Sequence, residues 1–375
     1  MEYYVYDGEV SSGIILDNDW MYVSSGGTAT DTTVNEWGRM YVSSGGTATS
    51  TTVNSDGSLD VSSGGTATDT TVNSDGLLAV WYGTAENTTV NSGGWMYAFS
   101  GGTAANTTVN SGGHLHVSGG TAANLVLAEG AYCDFTVAPN TYIQGTSAGS
   151  AFLMENASIS GYTVNSGSMY VYSGGTAIST TVNSGRMYVY SGGTATDISW
   201  TPCIGHVWAA DGAYVTYASS YSGVYYGSNG QLLSNAMTMD GKLVDGTMYI
   251  FTGGTANDTT VDYNGCMYVS SGGTANSTTV EGKMTVSSGG TANNTTIHGE
   301  DGFGEMHVSS GGTANGIILK SGGLYVDSGG KLTGSIAYYG VYGSEDALIE
   351  IGEGGIIDFD ISGRTGSSPA LINDF

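Results

Sequence analysis

Met40-Tyr41-Val42-Ser43-Ser44-Gly45-Gly46-Thr47-Ala48-Thr49-Ser50-Thr51-Thr52-Val53-Asn54-Ser55-Asp56-Gly57 is the stretch that decides the fold. It holds two β-branched runs, Met40 to Ser43 and Thr47 to Asn54, separated by Gly45-Gly46 and closed by Ser55-Asp56-Gly57, and both separators are turn chemistry. The Gly-Gly-Thr-Ala at its centre recurs from Gly26, Gly45, Gly64, Gly101, Gly119, Gly174, Gly192, Gly253, Gly272, Gly289 and Gly311. A twelfth copy, Tyr82-Gly83-Thr84-Ala85, has lost its first glycine. Undamaged neighbours start 17 to 22 residues apart, and the two long gaps of 55 and 61 residues are each close to three such steps. A period near 20 residues is the signature of a solenoid.

One copy carries too little apolar surface to stand alone, so its short strands pair with those of the next copy. The expected fold is all-β, a single-stranded parallel β-helix of about 20 coils of 18–20 residues, without helices because no segment combines helical periodicity with caps. At about 4.8 Å per coil this makes a rod on the order of 95 Å. Aligned copies place Met21, Met40, Leu59, Met169, Met187, Met248, Met267, Met284, Met306 and Leu324 two positions before the valine column Val23, Val42, Val61, Val171, Val189 and their equivalents. Period two puts both columns on one face, and their apolarity makes it the core. Val34, Val53, Val72, Val90, Val109, Val182 and Val261 form a second core column; Thr32 shares its parity and is replaced by Leu125, Ile198 and Ile317, which points it inward. Asn35, Asn54, Asn73, Asn91, Asn110, Asn165 and Asn183 precede a turn, where stacked amides predict an axial ladder.

Three segments follow from the repeat: a starting coil or cap over 1–20, the solenoid over 21–332 with irregular coils at about 124–165 and 197–247, and a terminal coil or cap over 333–375. The irregular windows keep the repeat's residue types and read as drifted coils with longer loops, which is also where function lodges on a regular scaffold.

The 375 residues carry 7 Lys+Arg against 33 Asp+Glu, a net charge of -26. Such a surface repels phosphate backbones and anionic headgroups, so nucleic acid and direct membrane insertion are poor expectations for partners. Cys133, Cys203 and Cys266 are odd in number and far apart, giving neither a disulfide framework nor a zinc site. No signal-peptide pattern precedes the repeat, and an export signal is expected outside this sequence.

Between the Met and Val columns runs a third, Tyr22, Tyr41, Tyr97, Tyr170, Tyr188, Tyr249, Tyr268 and Tyr325, interrupted by Asp60, His116, Thr285 and His307. A column that accepts Asp and His points outward. Exposed aromatic rings stack on sugars or on a second rod, so this column is the candidate binding ladder.

The residues point to no catalytic group, cofactor or metal. Asp358 with Asp360, and Glu300 and Asp301 with Glu305, read as solvated turns; His114 and His116 lack a third ligand; and G-x-S-x-G, P-loop, H-E-x-x-H and calcium nonapeptide motifs are missing. A carbohydrate-active β-helix, acting as a polysaccharide lyase or hydrolase, remains the alternative function, and a phage tailspike-like trimeric fibre another.

The repeat resembles the passengers of AIDA-type (adhesin involved in diffuse adherence) bacterial autotransporters. The likeness rests on Met-Tyr-Val-Ser-Ser-Gly-Gly-Thr-Ala-Thr with Thr-Thr-Val-Asn, on Val10 to Asp17, on Asp134 to Thr141, and on Gly355 to Phe359 with Ala370 to Asp374. It implies a right-handed β-helical passenger on a Gram-negative surface, mediating adhesion to host or neighbouring cells, self-association and biofilm growth. It also implies possible heptose addition by a glycosyltransferase at outward hydroxyls such as Ser24, Ser43, Ser62, Ser270 and Ser287. Relatives end in a membrane barrel, and no run of alternating barrel strands occurs here, so the chain is expected either to be a passenger fragment or to carry the repeat in a surface protein exported another way.

Overall fold

The computed structural model describes residues 1–201, 203–210, 212–218, 221–229, 231–270, 272–298, 304–338 and 347–358. Glu300, Asp301, Asp360, Phe359 and the stretch 370–374 singled out above lie outside the described residues, as does most of the expected terminal cap. Among the described residues every regular element is a strand. The chain is a parallel β-solenoid of about 17 turns, divided into two compact units, Met1–Thr196 and Asp197–Phe375.

One coil of the first unit shows the construction. Arg39–Val42, Thr47–Thr49 and Thr52–Val53 are its three strands, and each pairs in parallel with its equivalent one coil on: Met40 with Leu59, Ala48 with Ala67, Val53 with Val72. The two glycines of the repeat answer to different constraints. Gly45 has φ +84°, a left-handed conformation that side chains disfavour, whereas a Cβ on Gly46 would lie 2.3 Å from the Val23 carbonyl oxygen of the coil below. The damaged copy keeps the first conformation with Tyr82 at φ 55°. The corner between the two shorter strands is also left-handed, at Ser50, Asp69, Asn87 and Asn106, residue types whose short polar side chains tolerate it.

The inward columns are sealed. Met40, Leu59, Met187, Met248 and Met306 are fully buried, with Val42, Val53 and Val189, and so is the alanine of every Gly-Gly-Thr-Ala copy, such as Ala48 and Ala275. The Thr32 column is buried too, at Thr51, Thr70, Thr88 and Thr107, and the hydroxyls of Thr32, Thr51, Thr70 and Thr88 meet no hydrogen-bond partner. The asparagine ladder of the first unit runs from Asn35 to Asn110, where Asn54, Asn73, Asn91 and Asn110 each donate to the amide oxygen one coil below at 2.8 Å, and resumes after the irregular window, where Asn183 donates to Asn165 at 2.8 Å. Two further ladders join it. Asp69, Asn87, Asn106 and Asn124 bond in sequence at 3.0–3.2 Å along the left-handed corner. In the second unit Asp240, Asn257, Asn276 and Asn293 do so at 2.7–2.9 Å.

The coil count falls below the expected 20 because the irregular windows are not simply drifted coils. Tyr142–Ser147 and Ser150–Glu155 form an antiparallel hairpin, and Ser150–Glu155 runs antiparallel to Ser158–Ser160 as well. On the opposite sheet Phe135 therefore pairs directly with Met169, a 34-residue step. In the second unit Val224–Ser228 pairs antiparallel with both Gln231–Ala236 and Thr247–Ile250. A hairpin satisfies its own backbone hydrogen bonds, so it uses residues without adding a coil.

Candidate functional site: the outward aromatic face

Strands of the Arg39–Val42 type present alternate side chains to solvent, and three outward columns result. The tyrosine column lies at the centre. One flank holds the residue before each Met or Leu of the core, and the other holds the residue after each Val or Ala.

In the first unit Tyr22 stacks between Tyr4 and Tyr41 with centroids 5.2 Å apart on each side, and Trp20 meets Tyr22 and Tyr41 edge-on. Tyr170 stacks on Tyr188 at 5.4 Å, and beside them Tyr172 stacks on Tyr190 at 4.6 Å. Asp60 and Ala79 interrupt the central column between Tyr41 and Tyr97. Burial raises the Asp60 carboxyl above its ordinary pKa, against the opposing effects of the Ser58 hydroxyl and Arg39.

The densest part surrounds Tyr97. Trp95 stacks on His114 with centroids 3.9 Å apart, His114 on Tyr132 at 4.8 Å, Tyr97 on Phe99 at 5.4 Å, and Phe99 on Trp81 at 3.9 Å. Burial lowers the His114 imidazole below its ordinary pKa although the Asp134 carboxylate acts the other way, so a neutral ring continues the stack. Trp81, Trp95 and Tyr132 remain exposed. The sequence column centred on tyrosine contains none of these flanking rings. The signal was present, because Trp81 and Phe99 stand where Ser24, Ser43 and Ser62 stand in earlier coils, and Trp95 stands where Arg39 does. His114 and His116, considered as a metal pair, instead join this stack, and His116 Nδ1 lies 4.0 Å from an Asp134 oxygen.

The second unit treats the same face differently. Tyr249 and Tyr268 stack at 5.0 Å, and Tyr325 stacks on His307 at 4.6 Å. Trp200 meets Tyr249 edge-on at 4.4 Å, and Tyr217 packs against Phe251 at 5.2 Å. This cover pushes the Tyr268 hydroxyl up to about 12 and Tyr249 well above the usual tyrosine value, both chiefly by burial. Tyr249 and Tyr268 thus stand under a layer of chain rather than in an open ladder.

Among the serines singled out, Ser24, Ser43, Ser62 and Ser287 are partly exposed. Ser270 stands on the outward face but is only 6% exposed, because it lines a groove under the strands His206–Ala209 and Tyr214–Tyr217.

Comparison with known proteins bears on the chain as a whole. The family described as adhesin of bacterial autotransporter system, probable stalk (AIDA), matches residues 2–57 and 54–94. The crystal structure of a TibA fragment hyper-glycosylated by TibC is 30% identical, covers 96% of this chain and 98% of that one, and has a TM-score of 0.32. A PL6-family alginate lyase (7% identity, 95% and 76% covered, TM-score 0.17) and an endo-xylogalacturonan hydrolase from Aspergillus tubingensis (14%, 89% and 86%, 0.11) are too distant to carry an argument. The search of curated proteins found no match. With its Gly-Gly-Thr-Ala coils, its asparagine ladder and 30% identity along nearly the whole of the TibA fragment, the chain belongs to the AIDA-type autotransporter adhesin passengers.

Proposed function

We propose that this chain is a non-enzymatic stalk displayed on the outer surface of a Gram-negative cell, and that it adheres through the open aromatic face of its first unit. The observation that carries the reading is the contiguous stack of Trp81, Phe99, Tyr97, Trp95, His114 and Tyr132, set on strands whose registers hold it flat. Rings on a scaffold of this kind lose little conformational freedom on contact. The partner is a host or neighbouring cell surface, or the same face of a second copy, and repetition along the coils supplies avidity from individually weak contacts. Self-association of this kind would promote biofilm growth.

Beads coated with the purified chain should clump and should bind epithelial cells, and the combined variant Trp81→Ser, Trp95→Ser, Phe99→Ser should lose both properties. Undiminished clumping and cell binding by that variant would remove the aromatic face from the reading. Glycosylation is the second element, supported by the hyper-glycosylated state of the TibA fragment. The accessible candidates are Ser24, Ser43, Ser62 and Ser287, and an intact mass from the producing cell that shows no added heptose would reject modification.

A further inference from the structure

We infer that the second unit contains a binding site for an uncharged mono- or disaccharide, in a groove between the strands His206–Ala209 and Tyr214–Tyr217 and the outward face of the sheet. This site is separate from the aromatic face of the first unit and stands or falls independently of the adhesion reading.

The covering segment contributes the strands His206–Ala209 and Tyr214–Tyr217. It is tied down where the Ser288 hydroxyl donates to the Val215 carbonyl at 3.2 Å, and Trp200 beside it donates its indole N–H to the Gly205 carbonyl at 3.1 Å. Between the segment and the sheet lies a groove of about 530 Å³. That volume falls within the range of about 300–1,000 Å³ typical of small-molecule sites.

Its lining divides by chemistry. Trp208, Tyr217, Tyr249 and Tyr268 supply aromatic surface, while Lys283, His307 and Asp327 supply convergent polar groups. Flat aromatic walls with a few placed donors and acceptors match a pyranose, which offers an apolar C–H face and a rim of hydroxyls. The polar groups are incompletely used. His307 lies beyond hydrogen-bond distance of both carboxylates, with Nε2 3.6 Å from Glu305 and Nδ1 3.9 Å from Asp327. Asp327 accepts one hydrogen bond, from the Ser309 hydroxyl at 2.8 Å, and Lys283 reaches Glu305 only at 3.7 Å. A ligand hydroxyl that reaches Lys283 or Asp327 adds a charge-assisted hydrogen bond.

Charge selects the class of sugar. Lys283 is the one ammonium among the described lining residues and lies 3.7 Å from the Glu305 carboxylate, while Asp327 lines the same groove beside His307, in a chain of net charge -26. With Glu305 neutralising Lys283 and Asp327 left over, the groove offers a uronate or sugar phosphate no free cation, and the field of the acidic chain opposes its approach. A metal ion is disfavoured as well, because no group of three His, Cys, Asp or Glu among the described residues is placed to hold one.

The test is saturation-transfer NMR on the full chain with glucose, galactose, mannose, N-acetylglucosamine, lactose, maltose and glucuronate. At least one neutral sugar should bind with Kd on the order of 1 mM, and Trp208→Ala and His307→Ala should each weaken it by about tenfold or more. Trp208 is 42% exposed, so its replacement leaves the core intact. Trp95→Ala in the first unit should leave the signal unchanged. The inference is overturned if no neutral sugar binds, if glucuronate binds more tightly than all of them, or if Trp95→Ala rather than Trp208→Ala removes the signal.

Discussion

Replacing Thr51 by valine should stabilise the protein, although threonine recurs at this place in coil after coil. Thr51 is 1% exposed, and its hydroxyl has no hydrogen-bond partner. In the unfolded chain that hydroxyl is solvated, so folding carries a desolvation cost of about 1–3 kcal/mol. Valine is close to isosteric and has no polar atom to bury, so Thr51→Val should raise the unfolding free energy by roughly 1 kcal/mol, at the low end of that range because repacking is imperfect. The chain itself places apolar residues in this column, at Leu125 and Ile317, both 1% exposed. Thr259 provides the control: its hydroxyl donates to the Asn257 carbonyl at 3.2 Å, so Thr259→Val loses a hydrogen bond and should gain little. The assay is urea unfolding followed by tryptophan fluorescence, with hydrogen exchange on the mutated coil to separate local from global opening. A loss of about 1 kcal/mol or more in Thr51→Val would show that the hydroxyl is paired in solution and refute the reasoning.

The two glycines of one turn should respond unequally. Gly46→Ala places a Cβ 2.3 Å from a backbone oxygen and should prevent the coil from closing, whereas Gly45→Ala meets nothing nearer than 3.7 Å and should cost about 1–2 kcal/mol of left-handed strain, both read by circular dichroism melts. Asn73→Ala removes one hydrogen bond to Asn54 and one from Asn91, and a loss of about 1–3 kcal/mol in urea midpoints is expected; no change would mean that water replaces the ladder. Asp60 has a raised folded pKa, so the folded state favours its protonated form; that stabilisation is complete below the ordinary carboxylate pKa and is lost as pH rises through the folded value. Asp60→Asn should therefore be more stable than the parent at pH 7 and lose its advantage by about pH 3, and an equal gain at both pH values would contradict this. The buried Cys133 thiol, pushed up to about 12, should resist a thiol-specific reagent at pH 8 until the chain unfolds.

Much of this architecture was legible because a solenoid turns a long-range problem into a local one. Each residue's axial neighbour is its own counterpart one period away, so aligning Met40 with Leu59 and Val53 with Val72 amounts to reading the pairing, and parity then assigns each column to core or solvent. Asn54 could be placed in a ladder for the same reason, since an identical side chain had to lie above and below it. The Asp69 to Asn124 ladder escaped because its column mixes Asp, Ser and Asn, and only the left-handed corner backbone brings those side chains into line. The flanking rings Trp81 and Trp95 escaped because each stands where other coils carry serine or arginine.

The sequence by itself determined the coil, its core columns and the outward direction of its tyrosines, since all three follow from period and parity. Tertiary structure alone decided what happens where the period fails. No repeat sets the register of 142–155 or 224–236, and there the chain satisfies its backbone by folding back as hairpins. Tertiary structure also brings the strands His206–Ala209 and Tyr214–Tyr217 into one groove with Tyr249 and Tyr268. That arrangement buries Ser270, raises the neighbouring tyrosine hydroxyls and turns an open ladder into a groove.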